Sequence, residues 1–191
     1  MNNLVSIIYI FSFIWLFPPI RQFKSKYFIY FLTLPLAEAA SLIVSYFFSF
    51  NQMLIYNFFS LLALVSVLEK KMIKKMWPVI FLVIVYASGF VLNGFKNEII
   101  FIFIHILILA VFMKQFILRI FYEDIFSVFM VLLIFYEFTL ITKFINILTG
   151  FANASYYYII TSIFEFFIGV FFCIYRDSSA KILIKLDRAS S

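Results

Sequence analysis

The sequence predicts an all-α protein, a polytopic transmembrane bundle of seven helices with its N-terminus outside and its C-terminus inside. Three observations predict it. Of the 191 residues, 66% are hydrophobic and 13% charged, where soluble domains carry about 25% charged residues. Apolar runs long enough to cross a bilayer recur along the chain. The basic residues gather in alternate connections between those runs. The apolar excess therefore has to face lipid. The expected address is a bacterial cytoplasmic (inner) membrane, with the lipid bilayer as the first partner.

A spanning helix needs roughly 20 apolar residues at a rise of about 1.5 Å each. The first run, Asn3–Pro19, has no basic residue ahead of it and no small-residue cleavage site behind it, so it reads as a retained helix and not a signal peptide. The others are Tyr27–Phe50, Met53–Leu68, Trp77–Leu92, Glu98–Leu118, Ile125–Leu148 and Tyr156–Tyr175. They are too long, and alternate too little, for barrel strands. The breaks between them are short, which makes neighbouring helices antiparallel. Residues 1–175 thus form the transmembrane domain. Residues 176–191 form a short cytoplasmic tail in which Ile182, Leu183, Ile184 and Leu186 alternate with Lys181, Lys185 and Arg188, a pattern suited to a short amphipathic helix on the inner leaflet.

The charges fix the count and the orientation. Alternating the loops places 13 of the 15 Lys and Arg on one side, from Arg21, Lys24 and Lys26 through Lys70–Lys75 to Arg176 and the tail. Positive loops stay in the cytoplasm. The other side has Lys96, and Lys143 lies inside a helix. This placement makes the net charge of +6 a topology signal, and no nucleic-acid partner is expected. The single cysteine, Cys173, excludes an intramolecular disulfide.

Three carboxyls fall near the bilayer centre. Glu38 is 11 residues beyond Tyr27, Glu137 is 12 beyond Ile125 and Glu165 is 9 beyond Tyr156, while His105 lies slightly nearer the outer side. A charge at mid-helix costs roughly 2.5–3.5 kcal/mol on insertion scales, so these groups are expected to turn inward together, some sharing or holding protons. Ser41 lines up with Glu38, Ser162 with Glu165, and Tyr136 and Lys143 lie on a face adjacent to Glu137. The expected ligand or proton site is Glu38, Glu137, Glu165, His105, Ser41, Ser162, Tyr136 and Lys143. Each has a plainer reading: protonated glutamates as glue between helices, His105 as a hydrogen-bonded packing residue, and Lys143 snorkelling outward. No metal is expected, because His-x-x-x-His and Glu-x-x-His spacings are absent, and no cofactor is expected.

No Gly-x-Ser-x-Gly, His-Glu-x-x-His or phosphate-cradling glycine loop occurs, so the chain reads as a non-enzyme. A retinal protein would need a lysine in Tyr156–Tyr175, and there is none.

The stretch Phe13-Ile-Trp-Leu-Phe-Pro-Pro-Ile-Arg-Gln-Phe-Lys-Ser-Lys26, with the helix after it to residue 47, resembles the start of the PQ-loop and SWEET sugar-transporter family. That resemblance implies seven helices built as 3+1+3 and a carrier function. The second proline stands where that family has glutamine, and its second-half hinge proline has no counterpart here. Ile55-Tyr-Asn-Phe-Phe-Ser60, Leu133-Ile-Phe-Tyr-Glu-Phe138 and Ile160-Thr-Ser-Ile-Phe-Glu165 look like segments of small seven-helix proteins from AT-rich bacteria, similar to the input domains of sensor kinases. The leading expectation is a non-enzymatic sensor, accessory or partner-binding subunit that meets a membrane or cytoplasmic protein through its tail. A proton-coupled carrier of a small solute is the alternative, and a membrane-permeabilising effector is a third.

Overall fold

The computed structural model describes residues 13–47, 51–68, 97–150 and 153–186. The expected span Trp77–Leu92 and most of Asn3–Pro19 lie outside the described residues. Within them the fold is all-α apart from one small two-stranded ribbon.

A 3-10 turn at Phe13–Leu16 leads into the short helix α1, Phe17–Arg21. Pro18 and Pro19 open α1, where a missing N–H costs nothing. Helix α2 is Phe28–Phe47 with Pro35 inside it, α3 is Gln52–Val67, and α4 is Asn97–Tyr122. Helix α5 is Val128–Thr149 and α6 is Ala154–Ile174. The starts follow local chemistry: the Asn51 side chain accepts from the Met53 N–H at 3.0 Å to cap α3, and the Ser127 hydroxyl caps α5 through the Met130 N–H. Gly150 ends α5 at φ +63°, the left-handed conformation that a side chain would strain.

Helices α2, α4, α5 and α6 are long and apolar enough to cross a membrane, and α3 is a shorter apolar helix. Each helix from α2 to α6 packs on the next, and the 3-10 turn with α1 bridges α6 back to α2, closing the circuit. The turn can approach α6 because of Gly169: a Cβ there would sit 2.9 Å from Ile14 Cγ2. The outward faces carry large apolar side chains such as Ile43, Phe58, Phe103, Phe138 and Phe167, the surface that lipid requires.

One end of the circuit is filled by rings. Tyr27, Tyr30, Phe31, Phe112, Phe129 and Phe172 are fully buried, with centroids of Phe31–Phe172, Phe129–Phe172 and Tyr30–Phe112 at 4.8, 5.0 and 5.2 Å, the offset and edge geometries aromatic pairs prefer. Buried Gln22 seals this end by donating to the Phe172 and Tyr175 carbonyls at 3.1 and 2.8 Å, satisfying the orphan acceptors of α6.

Two expectations are corrected. The helix expected from Ile125 begins at Val128, and Ile125–Ser127 is a strand, β1. The alternating tail is not an amphipathic helix: Ala180–Ile182 is a 3-10 turn and Leu183–Lys185 is a strand, β2, antiparallel to β1 with Phe126 opposite Ile184. Alternation with a period of two suits a strand once a partner edge exists. A paired Arg119–Asp177, at 2.6 and 2.7 Å, holds the tail against α4.

Candidate functional site

Beyond the ring-filled end, the circuit opens into a cavity of about 490 Å³ bounded by α2, α3, α4, α5, α6 and Trp15. Of the expected site residues, Glu38, His105, Tyr136, Lys143, Ser162 and Glu165 line it. Polar groups at one level on four helices can all turn to the same interior only if the helices close around it, as these do.

Glu38, on the exposed side of the cavity, accepts from the Tyr56 hydroxyl at 2.9 Å. Ser41 does not line the cavity; it bonds the Glu38 carbonyl and lies 3.1 Å from the Tyr56 hydroxyl, one layer behind. Across the cavity, Lys143 Nζ donates to Glu165 Oε2 at 2.7 Å and to Ser162 Oγ at 3.4 Å, and stands 4.4 Å from the centre of the Tyr158 ring. The expectation that Lys143 snorkels outward is therefore corrected: its side chain is buried. A buried ammonium needs a partner, and the Glu165 carboxylate one helix away supplies it. Ser162 and Glu165 meet it because three residues on a helix bring side chains to one face.

Glu137 does not line the cavity. It is fully buried behind the wall, where its two oxygens are both engaged. Tyr30 donates its hydroxyl to Oε1, and His105 Nδ1 lies 2.6 Å from Oε2. The other imidazole nitrogen, Nε2, is 2.9 Å from the Ser60 hydroxyl. A buried chain thus runs Ser60–His105–Glu137–Tyr30, from the cavity wall into the ring-filled end. In the neutral tautomer that donates from Nδ1 to the carboxylate, Nε2 is an acceptor for the Ser60 hydroxyl.

Ser60, Tyr30, Tyr56 and Tyr158 complete these arrangements. Ser60 carries no signal of its own in the sequence, since an isolated serine in an apolar helix commonly bonds its own backbone, and Tyr30 is one of twelve tyrosines. Ser60, 7 residues beyond Met53, does match His105, 7 beyond Glu98, in depth, whereas Tyr30, 3 beyond Tyr27, matches neither His105 nor Glu137. Tyr136, packed on Trp15 at 4.4 Å between centroids, lies within electrostatic reach of all three glutamates. Glu165 Oε1 has no hydrogen-bond partner among the described residues. No group of three or more His, Cys, Asp and Glu is gathered for a metal ion among the described residues. Chemically, the site offers an ion pair, a second carboxylate, hydroxyls and a base in an aromatic enclosure.

Compared with protein-family models, curated proteins and solved structures, the chain shows no match.

Proposed function

We propose that this chain is a seven-helix protein of a bacterial cytoplasmic membrane, N-terminus outside and C-terminus inside, which holds a small polar solute at mid-bilayer. In this reading it works as a sensor, accessory or partner-binding subunit. One observation carries the binding reading: Glu38 and the Lys143–Glu165 pair line a cavity of about 490 Å³, and one Glu165 oxygen is unpartnered. Such a volume suits a small organic molecule. Glutamates that served only as glue between helices would meet across a closed seam with their oxygens satisfied.

The test uses Trp15, which lines the cavity. In a Trp77→Phe variant it is the sole tryptophan, because the chain has two. Titrating the protein in nanodiscs with a panel of amines, amino acids and sugars is expected to give a saturable fluorescence change for one class, weakened at least ~10-fold by Glu165→Gln, the scale of one charged hydrogen bond. A flat response across the panel counts against the reading. Topology is tested in a Cys173→Ser background. A cysteine replacing Lys96 should react with impermeant maleimide from outside, and one replacing Lys24 only after lysis. Co-purification of a partner that is lost on removing residues 181–191 would support the partner-facing role.

The carrier reading is favoured by a different observation. Glu38 is exposed while Glu165 is buried, so two carboxyls on one cavity differ in access, as alternating protonation needs. Solute uptake into proteoliposomes that depends on a proton gradient and is abolished by Glu137→Gln would select it. Uptake indifferent to both would remove it.

A further inference from the structure

The chain of Ser60, His105 and Glu137 has the order of groups that activates a serine for acyl transfer: a hydroxyl on an imidazole nitrogen, and a carboxylate on the other. Both contacts, 2.9 Å for Ser60 Oγ to His105 Nε2 and 2.6 Å for His105 Nδ1 to Glu137 Oε2, lie within hydrogen-bond reach. The acid is itself held by the Tyr30 hydroxyl on its second oxygen. Ser60 and His105 both line the cavity while Glu137 stands behind them, so nucleophile and base face any occupant and the orienting acid does not.

The Ser60 hydroxyl also departs from the habit of this fold. Among the described helices, Thr33, Ser41, Ser45, Ser66, Thr139, Thr142, Thr149 and Thr161 bond carbonyls of their own helix three or four residues back. That bond is the ordinary way to satisfy a hydroxyl in an apolar helix. Ser60 reaches across to α4 instead. A serine kept only for close packing has no need of an imidazole whose other nitrogen is fixed by a buried carboxylate.

The geometry points to Ser60 as a nucleophile that accepts an acyl group from a carboxylic ester lodged in the cavity, with His105 as its base and Glu137 as the positioning residue. The step goes beyond solute binding and departs from the expectation of a non-enzyme, which rested on absent motifs and on a single histidine in the chain. The Ser60 Oγ–carbonyl carbon bond forms as the hydroxyl proton passes to His105 Nε2. The ester C–O bond then breaks and the departing alkoxide takes that proton, leaving acyl-Ser60 and an alcohol. Water, deprotonated by His105 in its turn, converts the acyl group to a carboxylic acid and restores the serine. The acyl part is apolar or aromatic, because Trp15, Phe59, Phe101 and Phe144 furnish the walls near these groups.

The test exposes the full chain in nanodiscs to a fluorophosphonate probe, which phosphonylates activated serines with loss of fluoride, and to p-nitrophenyl acetate. The expected result is one adduct per chain, mapped by mass spectrometry to Ser60, and a burst of nitrophenolate. Ser60→Ala should abolish both. His105→Gln should slow both at least ~100-fold, within the range for a lost general base. Glu137→Gln should lower the limiting labelling rate without raising the half-saturating probe concentration, a split that a merely structural role would not give. Ser66→Ala, whose hydroxyl bonds the Ala63 carbonyl, should label as the native chain does. Circular dichroism melts establish that each variant is folded, and Ser60→Thr, which keeps a hydroxyl, serves if Ser60→Ala is not. An absence of Ser60 adduct on folded native chain at millimolar probe overturns the proposal. So does labelling that His105→Gln leaves unchanged.

Discussion

The two ends of the helix circuit solve the same problem in opposite ways. At the end holding Tyr27, Phe31, Phe112, Phe129 and Phe172, rings interlock. At the other end the same helices carry Glu38, His105, Lys143 and Glu165 around a cavity. Packing at the first end is redundant, since each ring has several neighbours. At the second, each polar group depends on one or two named partners. The lesson is that stability and chemistry have been given separate halves of one bundle, and Tyr30 joins them, with its ring packed against Phe112 and its hydroxyl on Glu137.

The sharpest way to break the contrast is Phe172→Ala, which removes a fully buried ring from the filled end. It is expected to cost about 3–5 kcal/mol, read as a lower thermal midpoint, while cavity binding by the surviving folded fraction keeps its affinity. If affinity falls as far as stability, the two halves are not separable. At the cavity end, Lys143→Met strands the Glu165 carboxylate and is expected to cost about 3 kcal/mol, whereas Lys143→Met with Glu165→Leu recovers most of it. A double-mutant cycle measures the difference, and additive losses would mean that the two side chains do not pair. A third change sits between α2 and α3: Asn51→Ala removes the cap of α3 and is expected to cost about 1 kcal/mol in the same melts. The smallest effect is reserved for Arg119→Ala. The pair with Asp177 is partly exposed, so about 0.5–1 kcal/mol is expected, falling as salt rises. A larger loss there would mean that the β1–β2 ribbon anchors the bundle and does not merely trim it.

Much of the bundle was legible from composition and spacing. The runs Tyr27–Phe50, Glu98–Leu118 and Tyr156–Tyr175 each hold a described helix, with ends shifted by a few residues through capping and the ribbon. Depth counting placed Glu38, His105 and Glu165 on one interior because helical rise is nearly constant. The counting could not say that Glu137, one residue from Tyr136, would turn behind the wall while Tyr136 faces the cavity; a step of about 100° per residue separates them, and only the packing of α4 on α5 decides which faces in. Lys143 admits two readings in the sequence, a member of the inward site or a lysine snorkelling outward, and its pairing with Glu165 decides for the first. Alternation in the tail is compatible with several structures until an edge such as Ile125–Ser127 is beside it.

What the sequence determined by itself is the solvent: its apolar content and its buried ionisable groups demand lipid outside and a polar interior, because hydrocarbon hydrogen-bonds nothing. What only the tertiary structure decided is the pairing. Lys143 with Glu165, and Ser60 with His105 and Glu137, join residues 22, 45 and 32 positions apart. Hydrogen bonds act over about 3 Å, and contacts of that reach between helices exist only after every helix has taken its rotation and its neighbour.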